Sequence, residues 1–176
     1  MALIFLHHTT PDVAKGTCYG RTDLPLAESF EAELAQVLAD LPQVARIVTS
    51  PLGRCHLLAQ RVGQAQGLQP TVLEGLTEMD FGRWEMLPWN AVPRDQLDAW
   101  AADFMGARPH GGESVQMLRD RVETALQGLE PQTLVVTHSG VIRAAAAILG
   151  HPEGWDIDVK FGHWMRLVAG ETRPAP

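Results

Sequence analysis

The sequence predicts a three-layer α/β/α sandwich with a mostly parallel central sheet. Short, mainly apolar runs recur at Ala2 to Leu6, Val44 to Thr49 and Gln132 to Thr137, and amphipathic stretches of helical spacing lie between them. Each run ends at a polar segment carrying histidine or serine. Runs of this kind suit strands buried on both faces, and helices between them suit parallel crossovers.

The elements follow in order. Ala2 to Leu6 reads as a central strand that delivers His7 and His8 to its C-terminal edge. Pro11 to Pro25, rich in Gly, Pro and Thr, reads as an ordered surface loop beside them. A helix over Leu26 to Leu41 leads to a strand over Val44 to Thr49. Ser50 and Pro51 then read as N-cap and first residue of a helix to about Gln66, with Arg54 in its first turns. Thr71 to Leu76 is expected as an edge strand. The Trp-rich stretch from Glu78 to Trp100 shows no clear period, and about 78–110 is read as a cap. Gly111-Gly112-Glu113-Ser114 opens a helix to about Leu126, and Gln132 to Thr137 is a strand ending at His138-Ser139-Gly140. A helix over Val141 to Leu149 closes at Gly150, and Trp164 to Ala169 is a last strand before a Pro-rich tail expected to fray.

The 176 residues fit one domain, 1–176. A formal charge of -7 and scattered arginines argue against a nucleic-acid partner, and one tyrosine and five phenylalanines make a poor base-stacking platform. A few converging cations still suffice for a small phosphorylated substrate. Two cysteines, Cys18 and Cys55, suggest thiols in a reducing compartment. The N-terminal MALIFL lacks the basic start of a signal peptide, and no apolar run reaches spanning length. A cytoplasmic protein without membrane association is expected.

Parallel sheets place ligands at the carboxyl ends of their strands, where His8, Ser50 to Arg54 and His138 all fall. A histidine there can take a phosphoryl group directly, splitting ester hydrolysis into transfer to nitrogen and then to water. Arg54 offers a planar fork for phosphoryl oxygens, helped by free N–H groups at its helix start, and His138 offers a further hydrogen bond. The leaving alkoxide needs an acid. Glu78 is the candidate, with Asp80 and Glu85 as rivals that the sequence does not separate. Taken singly, each residue has a plain structural role available: a satisfied buried histidine, a surface carboxylate, an ion-paired arginine. In a regular strand His7 and His8 point to opposite faces, and no His-x-x-x-His pair is present, so no metal site is expected.

Six segments taken together carry a family resemblance. They are Leu6-His7-His8-Thr9-Thr10-Pro11-Asp12, Cys18 to Leu26, Ser50-Pro51-Leu52-Gly53-Arg54-Cys55, Glu78 to Glu85, Gly111-Gly112-Glu113-Ser114, and Val136-Thr137-His138-Ser139-Gly140-Val141-Ile142-Arg143. In this order and over nearly the whole chain, the sequence resembles the histidine phosphatase superfamily, also called phosphoglycerate mutase-like, and within it the alpha-ribazole phosphatase type. The resemblance implies a phosphoglycerate mutase-like fold and a phosphohistidine at His8. It implies Glu78 as proton donor and Arg54 and His138 in the phosphate pocket, with no metal or cofactor; His7, Arg21 and Ser139 are expected to bind the phosphate beside them. Alpha-ribazole 5'-phosphate, in cobalamin assembly, is the substrate implied by the subgroup.

The chain departs from the family pattern in three places. The family's first motif is Arg-His, and His7 stands at the arginine position. An imidazole there offers fewer donors than a guanidinium. Reduced activity follows, or compensation by a neighbour such as Arg21. Ala14 stands near the place of a family asparagine, and Met86 replaces the glycine after Trp84-Glu85. The alternatives to a phosphatase are a catalytically weakened phosphate-binding or regulatory member and a phosphoglycerate-type mutase. The shortness of the chain favours hydrolysis, because little remains to exclude water.

Overall fold

The structure, a computed structural model, describes residues 2–169. The Pro-rich tail lies outside the described residues. Five strands, β1 (Ala2–His7), β2 (Arg46–Thr49), β3 (Thr71–Val72), β4 (Thr133–Thr137) and β5 (Trp164–Val168), form one sheet in the order β3-β2-β4-β1-β5. The first four strands run parallel, and β5 lies antiparallel along β1 at the edge. The helices are α1 (Phe30–Asp40), α2 (Gly53–Gln66), α3 (Arg94–Ala102), α4 (Val115–Leu126) and α5 (Ser139–Ile148).

Strand alternation sorts the apolar side chains into two layers. Ile4, Leu6, Ile47, Leu134 and Val136 pack with α1 and α2 on one face. Leu3, Phe5, Val48, Val135 and Leu167 pack with α4 and α5 on the other. The result is the predicted α/β/α sandwich with a mostly parallel central sheet. Full burial of a Leu or Phe side chain contributes about 1.5–3 kcal/mol, so these two layers set the register of the strands.

Several element boundaries differ from the sequence reading, each for a local reason. Ser50 does not cap α2. The helix begins at Gly53, whose N–H donates to Asp23 Oδ1 (2.9 Å), so its cap comes from the 11–25 loop. Ser50 is drawn away by His138, whose Nε2 lies 2.8 Å from its Oγ. α1 begins only at Phe30, because Leu26 pairs with Pro11 in an isolated bridge. The expected strand over Thr71 to Leu76 stops at Val72 and turns into a 3-10 helix, Glu74–Leu76. α5 starts at Ser139, two residues early, directly after the strand end. Ser114 does cap α4, accepting from Met117 N at 3.2 Å.

The Trp-rich stretch consists of two 3-10 turns, Gly82–Trp84 and Trp89–Ala91, followed by α3. Trp84 is buried with Cys18 and Val92, and its indole N–H donates to Gln96 Oε1 (2.9 Å). Among the described residues no helix is long and apolar enough to cross a membrane.

Candidate active site

β1 and β4 pair in register from Ile4 and Leu134 to His7 and Thr137, which brings His8 and His138 out at the same sheet edge. The N–H of His8 still donates to the Thr137 carbonyl (3.1 Å), and the N–H of Ser50 to the Val136 carbonyl (3.0 Å). Three loops therefore begin from one fixed line of backbone. The rings of His8 and His138 are 5.1 Å apart, centroid to centroid.

The tautomer of His8 follows from its two neighbours. Nδ1 lies 2.7 Å from the Thr9 carbonyl oxygen, which can only accept. Arg54 Nε, which can only donate, lies 3.3 Å from Nε2. The proton therefore sits on Nδ1, and Nε2 presents a lone pair. Burial first, with the charge of Arg54 adding to it, pushes the pKa of His8 well below its ordinary value, so the ring stays neutral.

Arg54 is fully buried, yet among the described residues no carboxylate forms an ion pair with it. Its two terminal nitrogens donate to the carbonyls of Thr22 (2.8 Å) and Gly20 (2.7 Å), and its guanidinium lies 5.5 Å above the Tyr19 ring. An intact cation thus stands beside the free nitrogen of His8. His138 is also buried, held by Ser50 Oγ and by Cys55 Sγ, 3.4 Å from its Nε2. Burial is the largest cause of its depressed pKa.

The three competing carboxylates take separate places. Glu78 is buried and lines the same cavity as His8; its Oε1 accepts from Met79 N (2.8 Å) and its Oε2 from Gly140 N (3.0 Å). Burial raises its pKa despite these two bonds. A Cβ on Gly140 would collide with the Glu78 carboxyl, so only glycine lets α5 approach so closely. Asp80 accepts from Gly82 N (2.7 Å) in its own turn. Glu85 gathers the N–H groups of Gly20, Arg21, Thr22 and Phe81 at 3.0–3.1 Å. Of the three, Glu78 alone lines the cavity.

His7 and His8 do not diverge as expected. The strand ends at His7, alternation ends with it, and the two rings meet edge to face 4.5 Å apart. His7 stacks on Phe161 (4.7 Å), is buried, and has no partner for Nδ1 among the described residues. Desolvation pushes its pKa down to about 3, so it carries no charge near neutrality.

The cavity has a volume of about 420 Å³. Its lining combines His7, His8, Glu78 and Ser139 with an aromatic wall that includes Trp89, Trp100, Phe104 and Trp155. Arg21 does not belong to this set: its side chain is exposed, and its contribution is the backbone N–H given to Glu85. Sequence reasoning gave no role to Tyr19, Phe161 or Arg143, all of which line the cavity. Arg143 stood within the His138 segment, and spacing along α5 could have flagged it. Among the described residues no group of three or more His, Cys, Asp or Glu is placed to hold a metal ion.

The chain is similar to several known proteins. The chain is 28% identical to the adenosylcobalamin/alpha-ribazole phosphatase of Salmonella typhimurium, over 92% of this chain and 86% of the relative. It is 31% identical to a protein of Salmonella choleraesuis named "Probable phosphoglycerate mutase GpmB", over 83% of this chain and 73% of the relative. Among solved structures, a phosphoglycerate mutase from Thermus thermophilus superposes with a TM-score of 0.77 at 30% identity, covering 94% of this chain and 92% of the other. A mycobacterial glucosyl-3-phosphoglycerate phosphatase superposes with 0.78 at 26% identity, covering 94% and 88%. The sequence profile of the histidine phosphatase superfamily (branch 1) matches residues 3–175, and the chain belongs to that superfamily.

Proposed function

We propose that the chain is a phosphomonoesterase that works through a phosphohistidine on His8. The observation that carries this reading is the fixed tautomer of His8, with a lone pair on Nε2 beside the uncompensated guanidinium of Arg54. In the first step Nε2 attacks phosphorus, the bond from phosphorus to the ester oxygen breaks, and that oxygen takes the proton of Glu78. In the second, the Glu78 carboxylate takes a proton from water as its oxygen attacks phosphorus. The N–P bond breaks, and inorganic phosphate leaves with His8 neutral again. Arg54 and His138 hold the phosphoryl oxygens, Ser139 lies at the start of α5, and no metal enters either step.

The substrate proposed is a small phosphorylated metabolite, with alpha-ribazole 5'-phosphate as the first candidate. Relatives carry that name, and the aromatic wall gives a bulky planar leaving group a surface to pack on. The test is incubation with an aryl phosphate and a panel of phosphorylated metabolites, beside His8→Ala. Expected are turnover and an acid-labile phosphoenzyme in the parent and neither in the variant. Phosphate binding without turnover would sink the assignment.

A weakened member of the family is the second reading, favoured by the uncharged His7. On that reading His7→Arg restores a cation and raises turnover by about tenfold. Equal or lower turnover in the variant counts against it.

A further inference from the structure

Arg143 stands on the second turn of α5 and is the one guanidinium among the side chains lining the cavity. Its Nε donates to the Ile157 carbonyl oxygen (3.3 Å), which fixes the plane of the group. Neither terminal nitrogen has an acceptor among the described residues, although Asp156 lines the same rim. The two arginines near the site are held by different segments. Arg54 lies beside His8 and is tied to the 20–22 loop, whereas Arg143 stands on α5 and is tied to the Ile157 carbonyl.

A phosphoryl group on His8 falls to Arg54. Arg143, with its free terminal donors, lines the same cavity as His7 and the aromatic residues Trp89, Trp100 and Phe104. Trp89 and Phe104 are 37% and 38% exposed, so open apolar surface and unused donors share one cavity. Such a pairing suits a ligand with a flat apolar body and a polar edge.

We infer that Arg143 determines specificity by binding the leaving group: its terminal nitrogens donate to an acceptor oxygen on a planar, largely apolar body packed against Trp89, Trp100 and Phe104. This rests on the phosphatase reading proposed above. Substrates of the class are phosphomonoesters of aromatic or heterocyclic alcohols bearing a carboxylate, carbonyl or hydroxyl oxygen away from phosphorus.

The test compares 4-carboxyphenyl phosphate with phenyl phosphate as a ratio of kcat/KM in the parent, Arg143→Met and Arg143→Lys. Differences in intrinsic reactivity cancel between proteins. The expected result is a ratio that falls by about tenfold or more in Arg143→Met and is partly kept in Arg143→Lys, as loss of a charge-assisted bond requires. An unchanged ratio, or an equal fall on both esters, overturns the inference. If the parent hydrolyses neither ester, the phosphatase reading fails, and Arg143 is then judged by calorimetry on His8→Ala and His8→Ala/Arg143→Met. Tighter binding of the carboxyphenyl ester that disappears with Arg143 supports the inference; equal binding of the two esters to His8→Ala overturns it.

Discussion

Arg54 Nε lies 3.3 Å from His8 Nε2, and the remaining grip on this guanidinium comes from the neutral carbonyls of Gly20 and Thr22. A buried carboxylate partner would have cancelled the charge. Carbonyls orient it and leave it whole, as a site for a dianionic phosphoryl group requires.

Replacing that cation by a chain of similar length should separate charge from packing. Arg54→Met is expected to lower kcat/KM for an aryl phosphate by about 10²–10³-fold, the scale of removing one preorganised donor from a developing anion. Steady-state kinetics, with inorganic phosphate as competitive inhibitor, checks it. A loss confined to stability, with phosphate inhibition unchanged, would contradict the assigned role.

Glu78 should matter in proportion to the basicity of the leaving group. Glu78→Gln is expected to cost about 10²–10⁴-fold on an alkyl phosphate and far less on p-nitrophenyl phosphate, whose phenolate leaves without a proton. Burial raises the Glu78 pKa above its ordinary 4.5, so the acid form persists above that pH. In the parent, kcat/KM falls as pH rises through the folded value. That alkaline limb is expected to vanish in Glu78→Gln, and pH profiles on both esters show it.

His7 makes the protein sensitive to acid. Its pKa drops from 6.5 to about 3 on folding, so below 6.5 the unfolded chain binds a proton that the folded chain refuses. Stability is lost as pH falls from 6.5 towards 3. Between pH 7 and 5 this amounts to about 2 kcal/mol at ~1.4 kcal/mol per proton and pH unit. Urea unfolding of the parent and His7→Gln at both pH values is expected to show a smaller pH dependence in the variant by about that amount.

Met86 adopts a left-handed backbone, φ 66°, a conformation that disfavours side chains with a Cβ. Its side chain is 48% exposed, so little packing depends on it. The backbone there is held by the Met86 N–H donating to the Cys18 carbonyl (2.7 Å). Met86→Gly is expected to stabilise by about 1 kcal/mol, or ~2–4 °C in Tm, after the entropic cost of glycine. Thermal unfolding checks it.

The sandwich was legible because the apolar runs and helical spacing agree with one another along most of the chain. The convergence of His8, Arg54 and His138 was legible for the same reason: parallel strands end at one edge. What the sequence did not show depends on contacts between distant segments. Ser50 looks like a cap until His138 arrives from 88 positions away to take its hydroxyl. Arg21 looks like a phosphate ligand until the loop turns its side chain outward and gives its N–H to Glu85. The three acidic residues near Trp84 share one segment, and only the folded loop separates a cavity carboxyl, a turn cap and a loop tie.

Glu85 binds the 20–22 loop to Phe81 in the cavity wall, and carbonyls of that same loop steer Arg54 onto His8. On the proposed mechanism, the wall that meets a substrate and the nitrogen that attacks it are thus the two ends of one short mechanical train, with a single carboxylate as its coupling. A cap exchanged for another to accept a new substrate has to arrive with its own version of that coupling. Without it, the attacking nitrogen loses its alignment even though no residue touching phosphorus has changed.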